Sequence, residues 1–348
     1  MIALKSIVLA HFLLANSLLF AQDYNLKNSS YEIQFSQTGS ITSFQSNGKT
    51  IEFRKDTKSE GPAIVFSNST VILHNTKTST TGLIFSAETS KINVALSYSF
   101  EKNAFVIQAT IKNKIGKEIP IDTLMLRLGI NTEMDAFPHW NKVYFPTMMR
   151  CEKDFFWGYF MNPGGNIITI ATQNPVASWN YDYNKGGHRI FTLNLDLMHK
   201  LPLPERHPQN LHTLKSNEER TWTIYLQPTC NLKNVKSIVS EFTKAVIIDA
   251  PQYTIAENET FHIKILGSVK SLNLITPNNK NIKLKPSATI DFTPEDGVGK
   301  YKLEAISTKG KTTEAYFSVR KQWSWYMQQA RINAITSVVG IRPNRIRG

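Results

Sequence analysis

Carboxylates, an imidazole and indoles crowd one stretch of this chain, Asn131–Gly165, which reads NTEMDAFPHWNKVYFPTMMRCEKDFFWGYFMNPGG. Glu133 and Asp135 share a parity, so on a strand they project from one face. Paired carboxylates are the groups that glycoside hydrolysis uses. Aromatic faces beside them, from His139-Trp140 onward, would stack on pyranose rings while carboxylates accept hydroxyl hydrogen bonds. Any polar strand face produces the same carboxylate spacing, however. Phe155, Phe156, Trp157 and Tyr159 read as a strand buried on both faces. His139 and Trp140 stay open between a sugar contact and a place in the core.

Two further clusters carry comparable groups. In Ala177–Arg189, ASWNYDYNKGGHR, Trp179, Tyr181 and Tyr183 alternate ahead of Gly186-Gly187 and His188-Arg189. In Leu201–Asn210, LPLPERHPQN, prolines hold an extended loop that displays Glu205, Arg206 and His207. A substrate contact and a loop stiffened by an Arg–Glu pair both fit that second segment. His139, His188, His199 and His207 show no HxH or HExxH spacing, so the sequence predicts no metal site and no cofactor. No GxSxG, P-loop or GxGxxG is present.

The elements that must position these residues are strands. Tyr31, Ile33 and Phe35 alternate, as do Ile92, Val94, Leu96, Tyr98 and Phe100, and then Phe105, Ile107, Ala109 and Ile111. Asn47-Gly48 between Phe44 and Ile51 is a hairpin turn, since both residues tolerate positive φ. Strands joined by short polar turns with no helix between them predict antiparallel sheets stacked face to face. The fold class is therefore all-β. A large antiparallel, supersandwich-like β-sandwich is expected over residues 22–232, larger than an immunoglobulin-type domain needs. Val235, Ile238, Val239, Phe242 and Val246 then form a helical stripe behind an Asn234 cap, giving a linking helix within 233–248. Short alternating strands such as Phe261, Ile263 and Ile265, with turns at Thr276–Asn279, Asp296-Gly297 and Lys309–Lys311, predict a small immunoglobulin-like sandwich over 249–320.

After Arg320 the pattern changes. Trp323, Tyr326, Met327, Ala330 and Ala334 recur at helical spacing and make one apolar face, so 321–336 reads as the start of a helical domain. Residues 337–348 have no apolar period and read as an unstructured tail. An orphan Trp-rich helix has to pack against something, so a missing helical domain is the expected partner.

Lys5, the apolar run Ile7–Phe20 and small Ala21 read as a secretory signal peptide over 1–21, with cleavage before Gln22. It is too short and too interrupted to anchor in a membrane, and no later stretch approaches a span. The chain is expected to be exported, periplasmic or extracellular. The formal net charge is +13, yet the last 28 residues carry five basic residues and no acidic one. The folded body thus has no basic stripe, which disfavours nucleic acid and leaves a mild bias that suits an acidic glycan. Cys151 and Cys230 allow two readings in an oxidising compartment: one bridge, or two small buried side chains that never meet.

The segments LGINTEMDAFPHWNKVYFPTMMRCEKDFFWGYF, NPVASWNYDYN, GGHRIFTLNLDL and PLPERHPQN, then GKYKLEAISTKGKTTEAYFSV and WSWYMQQAR, support a resemblance. Together they resemble the N-terminal part of exported Bacteroidota carbohydrate-active enzymes, the six-hairpin, (α/α)6-type glycoside hydrolases, and within these the β-glucuronidase-like family 154. The resemblance covers Gln22–Ala334. It implies a large β-sandwich ahead of an (α/α)6 toroid that carries the catalytic carboxylates. That toroid would follow Trp323–Ile335, so the general acid and base would lie outside this sequence and no residue carries over as catalytic. Loops bearing His139–Trp140, Gly187–Arg189 and Glu205–His207 would then cap a pocket on that domain. The partner implied is a glycan, with uronic-acid polymers among the candidates. Three functions compete: the non-catalytic front of a truncated glycoside hydrolase, a free-standing secreted carbohydrate-binding protein, and an enzyme using Glu133 and Asp135 on the sandwich itself.

Overall fold

The computed structural model describes residues 24–53, 61–132, 143–183, 191–201, 203 and 207–341. The chain divides into two compact units, Met1–Val235 and Lys236–Gly348. The protein is all-β apart from two described helices, as its period-two pattern requires.

The first unit opens with β1 (Tyr24–Lys27), β2 (Tyr31–Phe35), β3 (Ile41–Ser46) and β4 (Lys49–Ile51), an antiparallel sheet in that order. Its last hairpin turns at Asn47 (φ 49°) and Gly48 (φ 74°), the two positive-φ residues that a two-residue hairpin loop requires. The chain continues through β5 (Ala63–Phe66), β6 (Ser69–Thr70), β7 (His74–Ser79), β8 (Gly82–Glu88), β9 (Ile92–Glu101) and β10 (Ala104–Asn113). Then come β11 (Ile119–Pro120), β12 (Thr123–Arg127), β13 (Phe145–Cys151), β14 (Phe156–Met161) and β15 (Ile167–Thr172). The unit closes with β16 (Ser178–Tyr183), β17 (Phe191–His199), β18 (Thr213–Leu214) and β19 (Glu219–Thr229).

These strands make an eight-stranded sheet, ordered β13-β14-β15-β19-β10-β9-β8-β7, and a five-stranded sheet, ordered β16-β17-β12-β5-β6. One core joins both of them to the four-stranded sheet. It takes Phe35 and Phe44 from the first hairpins, Phe85, Tyr98 and Phe105 from the eight strands, and Leu126, Leu193 and Leu195 from the five. Tyr98 sits 4.7 Å ring to ring from Phe35 and donates to Gly39 O at 2.8 Å. Its burial pushes the phenol far above its ordinary range, so it stays neutral and hydrogen-bonded, the condition for burying a polar atom. β14 is buried on both faces, with Phe156, Trp157 and Phe160 all at 2 % exposure or less.

In the second unit, β20 (Ile247–Asp249), β22 (Phe261–Leu266) and β25 (Thr289–Phe292) make one sheet. β21 (Thr254–Ala256), β27 (Thr312–Arg320), β26 (Gly299–Ser307), β23 (Val269–Ile275) and β24 (Asn281–Leu284) make the other, in that order. β21 runs parallel to β27; every other described pair is antiparallel. Phe261, Ile263, Leu272, Leu274, Tyr301, Leu303 and Phe317 fill the space within this unit, a two-sheet sandwich of immunoglobulin-like size.

Both helices depart from the sequence reading. α1 (Leu232–Thr243) starts earlier than an Asn234 cap would allow, because Asn231 Oδ1 accepts the Lys233 N–H at 2.9 Å, an N-cap two residues ahead of its donor. α2 (Trp323–Ile341) runs past Thr336 into residues that read as tail. It is also not amphipathic. At 100° per residue, exposed Trp325 and Ile332 lie on the side opposite Trp323 and Met327, which are exposed as well, and exposed Ile335 lies between the two sides. The one-face expectation noticed only one of two apolar sides. No described helix is long and apolar enough to cross a membrane.

Candidate functional site

β13 is the outer strand of the eight-stranded sheet and β16 the outer strand of the five-stranded sheet, and the two approach each other. Between them lies a cleft of about 330 Å³, lined by Met149, Arg150, Cys151, Ala177, Ser178, Trp179, Leu203 and His207. Strand edges and the loop after β17 therefore supply its walls. Gln209 Nε2 donates to His207 O at 2.9 Å and to Leu203 O at 3.2 Å, which ties the two loop residues to one anchor.

Arg150 is the most organised group in the cleft. Its Nε meets Glu152 Oε1 at 2.9 Å, with the arginine side chain 40 % exposed and the glutamate 8 %. Glu152 also accepts from Trp157 Nε1 at 3.3 Å, and the Arg150 guanidinium lies 5.8 Å from the centre of the Trp157 ring, a cation–π distance. Glu152 follows the end of β13, in the turn where its N–H donates to Phe155 O at 2.9 Å, and the β13–β14 register sets Trp157 opposite Arg150. The guanidinium is thus fixed at one nitrogen and one face, while its remaining N–H donors suit a planar carboxylate. Across the cleft, Trp179 stands edge-on to Tyr181 at 5.1 Å, and burial raises the Tyr181 phenol. The described lining holds one cation, one imidazole, one hydroxyl, one thiol and one indole, and no carboxylate.

Of the residues singled out in the sequence, Trp179 and His207 come together here. Glu133, Asp135, His139, Trp140, His188, Arg189, Glu205 and Arg206 lie outside the described residues. Cys151 and Cys230 both stand as thiols, Cys151 half-buried and Cys230 exposed; the expectation of two buried side chains fails for Cys230. Sequence reasoning missed Arg150 and Ser178. Arg150-x-Glu152 ahead of a tryptophan-bearing strand was the legible signal. Among the described residues no group of three or more His, Cys, Asp or Glu side chains is arranged to hold a metal ion.

No protein-family model matches this chain, and no curated protein matches it in sequence. Solved structures are similar to it. A polysaccharide lyase superposes with a TM-score of 0.59 at 12 % identity, covering 86 % of this chain and 48 % of its own. A galactose mutarotase-like protein from Clostridium acetobutylicum gives 0.40 at 10 % identity, covering 59 % of this chain and 94 % of its own. A chondroitinase AC lyase gives 0.34 at 8 % identity, covering 86 % and 51 %. The chain spans about half the length of the polysaccharide lyase, and at that identity the likeness is one of fold.

Proposed function

We propose that this chain is the β-sandwich portion of an exported polysaccharide-processing protein, and that the cleft between β13 and β16 contacts an acidic glycan. The observation that carries the reading is the shared fold with a polysaccharide lyase over 86 % of this chain. The cleft supports the acidic preference: Arg150 is held in place for an anion and no described lining residue repels one. Trp179 offers a ring for stacking beside it. α2 supports a helical partner domain of the (α/α)6 kind, with the sandwich bracing that domain rather than performing the chemistry. A helix apolar on opposite sides is stable only among neighbours, and α2 leaves Trp323, Trp325, Met327 and Ile335 exposed.

Titration of the whole chain with polygalacturonate, a glucuronic-acid polymer and a neutral glucan tests the reading. Binding to the uronic-acid polymers is expected, with affinity reduced at least tenfold by Arg150→Ala and no cleavage of any polymer. A free-standing binding protein gives the same titration, and the two part on whether an added helical domain confers cleavage. Silence across all three polymers would sink both.

A further inference from the structure

The first unit holds a second pocket, of about 270 Å³, where β19 begins. The segment after β15, the segment ahead of β18 and the start of β19 enclose it, and Asn174, Pro175, Asn210, Glu218, Arg220 and Trp222 are in its lining. Each wall is tied down. Trp222 Nε1 donates to Pro175 O at 2.9 Å, and the His199 N–H donates to Leu211 O at 2.8 Å. Buried Asn113 sets its Nδ2 against Leu214 O at 3.2 Å and Lys215 O at 2.8 Å. The Lys215 N–H in turn donates to Glu218 Oε2 at 2.7 Å.

Arg220 is held at two of its three nitrogens. Nε donates to Glu218 Oε1 at 2.6 Å and Nη1 to Asn210 O at 3.0 Å, which leaves Nη2 without a partner among the described residues. The Arg220 side chain is 17 % exposed and that of Glu218 23 %, so the pair is sheltered yet open to a ligand. Asn174 Oδ1 accepts from the Thr223 N–H at 3.3 Å, so its Nδ2 is the remaining donor. Burial opposes ionisation of Glu218, but the bonds from Arg220 and from the Lys215 N–H hold its carboxyl below the ordinary range. The lining therefore pairs one full positive charge with one full negative charge. A carboxylate would satisfy Arg220 and meet Glu218; an ammonium would satisfy Glu218 and meet Arg220. A hydroxyl accepts from one and donates to the other. Buried Leu211 and Trp222 add an apolar floor. At about 270 Å³ the pocket falls under the range of about 300–1,000 Å³ that suits drug-sized ligands, which is room for one ring rather than an oligomer.

We propose that this pocket binds one neutral sugar ring through its hydroxyls, with Arg220 and Asn174 donating and Glu218 accepting. This rests on the glycan reading above and adds a second class of sugar unit to it. The two sites share a backbone segment and a loop. Pro175 belongs to the pocket and Ala177 to the cleft, and two residues of chain span at most about 7 Å. Leu203 and His207 line the cleft, while Asn210 and Leu211 line the pocket. A glycan that crosses this segment meets an arginine organised for an acid on one side and a neutral ion pair on the other. The polymer that fits mixes uronic acids with neutral sugars.

Methyl β-D-glucopyranoside and methyl β-D-galactopyranoside are added to the whole chain and followed by saturation-transfer NMR, with polygalacturonate titrated in the same preparation. Saturation of ring protons in at least one glycoside is expected. Two variants place that binding. Asn210 is exposed and lines the pocket, so Asn210→Trp narrows the space at a surface position. Arg220→Gln combined with Glu218→Gln removes the ion pair without stranding a sheltered charge. Each should weaken the glycoside at least tenfold, and glycoside binding that survives both overturns the pocket. D-galacturonate that displaces the glycoside at a lower concentration than the glycoside itself requires also overturns it, since the pocket then prefers an anion. No glycoside response alongside polygalacturonate binding sinks the pocket and leaves the cleft reading standing; no response to either sinks both.

Discussion

Glu152 serves two partners at once, Arg150 Nε at 2.9 Å and Trp157 Nε1 at 3.3 Å, and two substitutions separate what it does for each. Glu152→Ala strips the acceptor from an indole that is 2 % exposed. An unsatisfied buried donor costs about 1–3 kcal/mol, so the urea midpoint falls accordingly. Arg150 also loses the group that fixes its nitrogen, so uronic-acid polymers bind more weakly. Glu152→Gln keeps an oxygen in the same place and removes a negative charge next to the guanidinium. It should retain most of the stability and bind the acidic polymer at least as tightly as the unaltered protein. If Glu152→Ala binds as well as Glu152→Gln, positioning has no part in the cleft and charge alone accounts for Arg150. In the sequence Glu152 shows only as the carboxylate two residues beyond Arg150. Its role depends on Trp157, which the β13–β14 register brings opposite Arg150.

The strand that presents Arg150 is itself held by a close approach. Gly158 of β14 lies opposite Met149, and a Cβ there would meet Met148 O at 2.3 Å and Met149 Sδ at 2.5 Å. Backbone cannot yield as a flexible side chain does, so Gly158→Ala must push β13 outward. Overpacking of this kind costs about 1–3 kcal/mol. Because β13 forms one wall of the cleft, glycan affinity should fall together with stability although no lining side chain changes. Equilibrium unfolding and calorimetric titration on the same variant check this; a stable variant with unchanged affinity would mean that β13 does not set the site. The alternation that defines strands was legible for β2, β9, β10 and β22, where one face is apolar and the other polar. It failed to mark β17 as unusual. FTLNLDL reads as core leucines with solvent-facing Asn194 and Asp196, and only the folded chain buries the polar side too. α2 failed similarly, since a search for one apolar face stops at the first one found.

At the scale of the whole molecule, a formal charge of +13 complicates any claim about acidic glycans. A polyanion is drawn to such a surface whether or not a site exists, and binding at low salt would prove little. The two contributions differ in how salt acts on them. The Debye length is about 10 Å at 0.1 M and about 3 Å at 1 M, so attraction between exposed charges is largely screened as salt rises. A half-buried guanidinium paired with a carboxylate in a cleft is screened much less. Affinity for polygalacturonate should therefore fall steeply between low salt and about 0.5 M sodium chloride, in the unaltered protein and in Arg150→Ala alike. The ratio of the two affinities should stay near tenfold throughout. A ratio that collapses to one at high salt would assign all of the binding to the general basic field and leave the cleft without a ligand. A ratio that persists locates the recognition at Arg150 and makes net charge a matter of encounter rate.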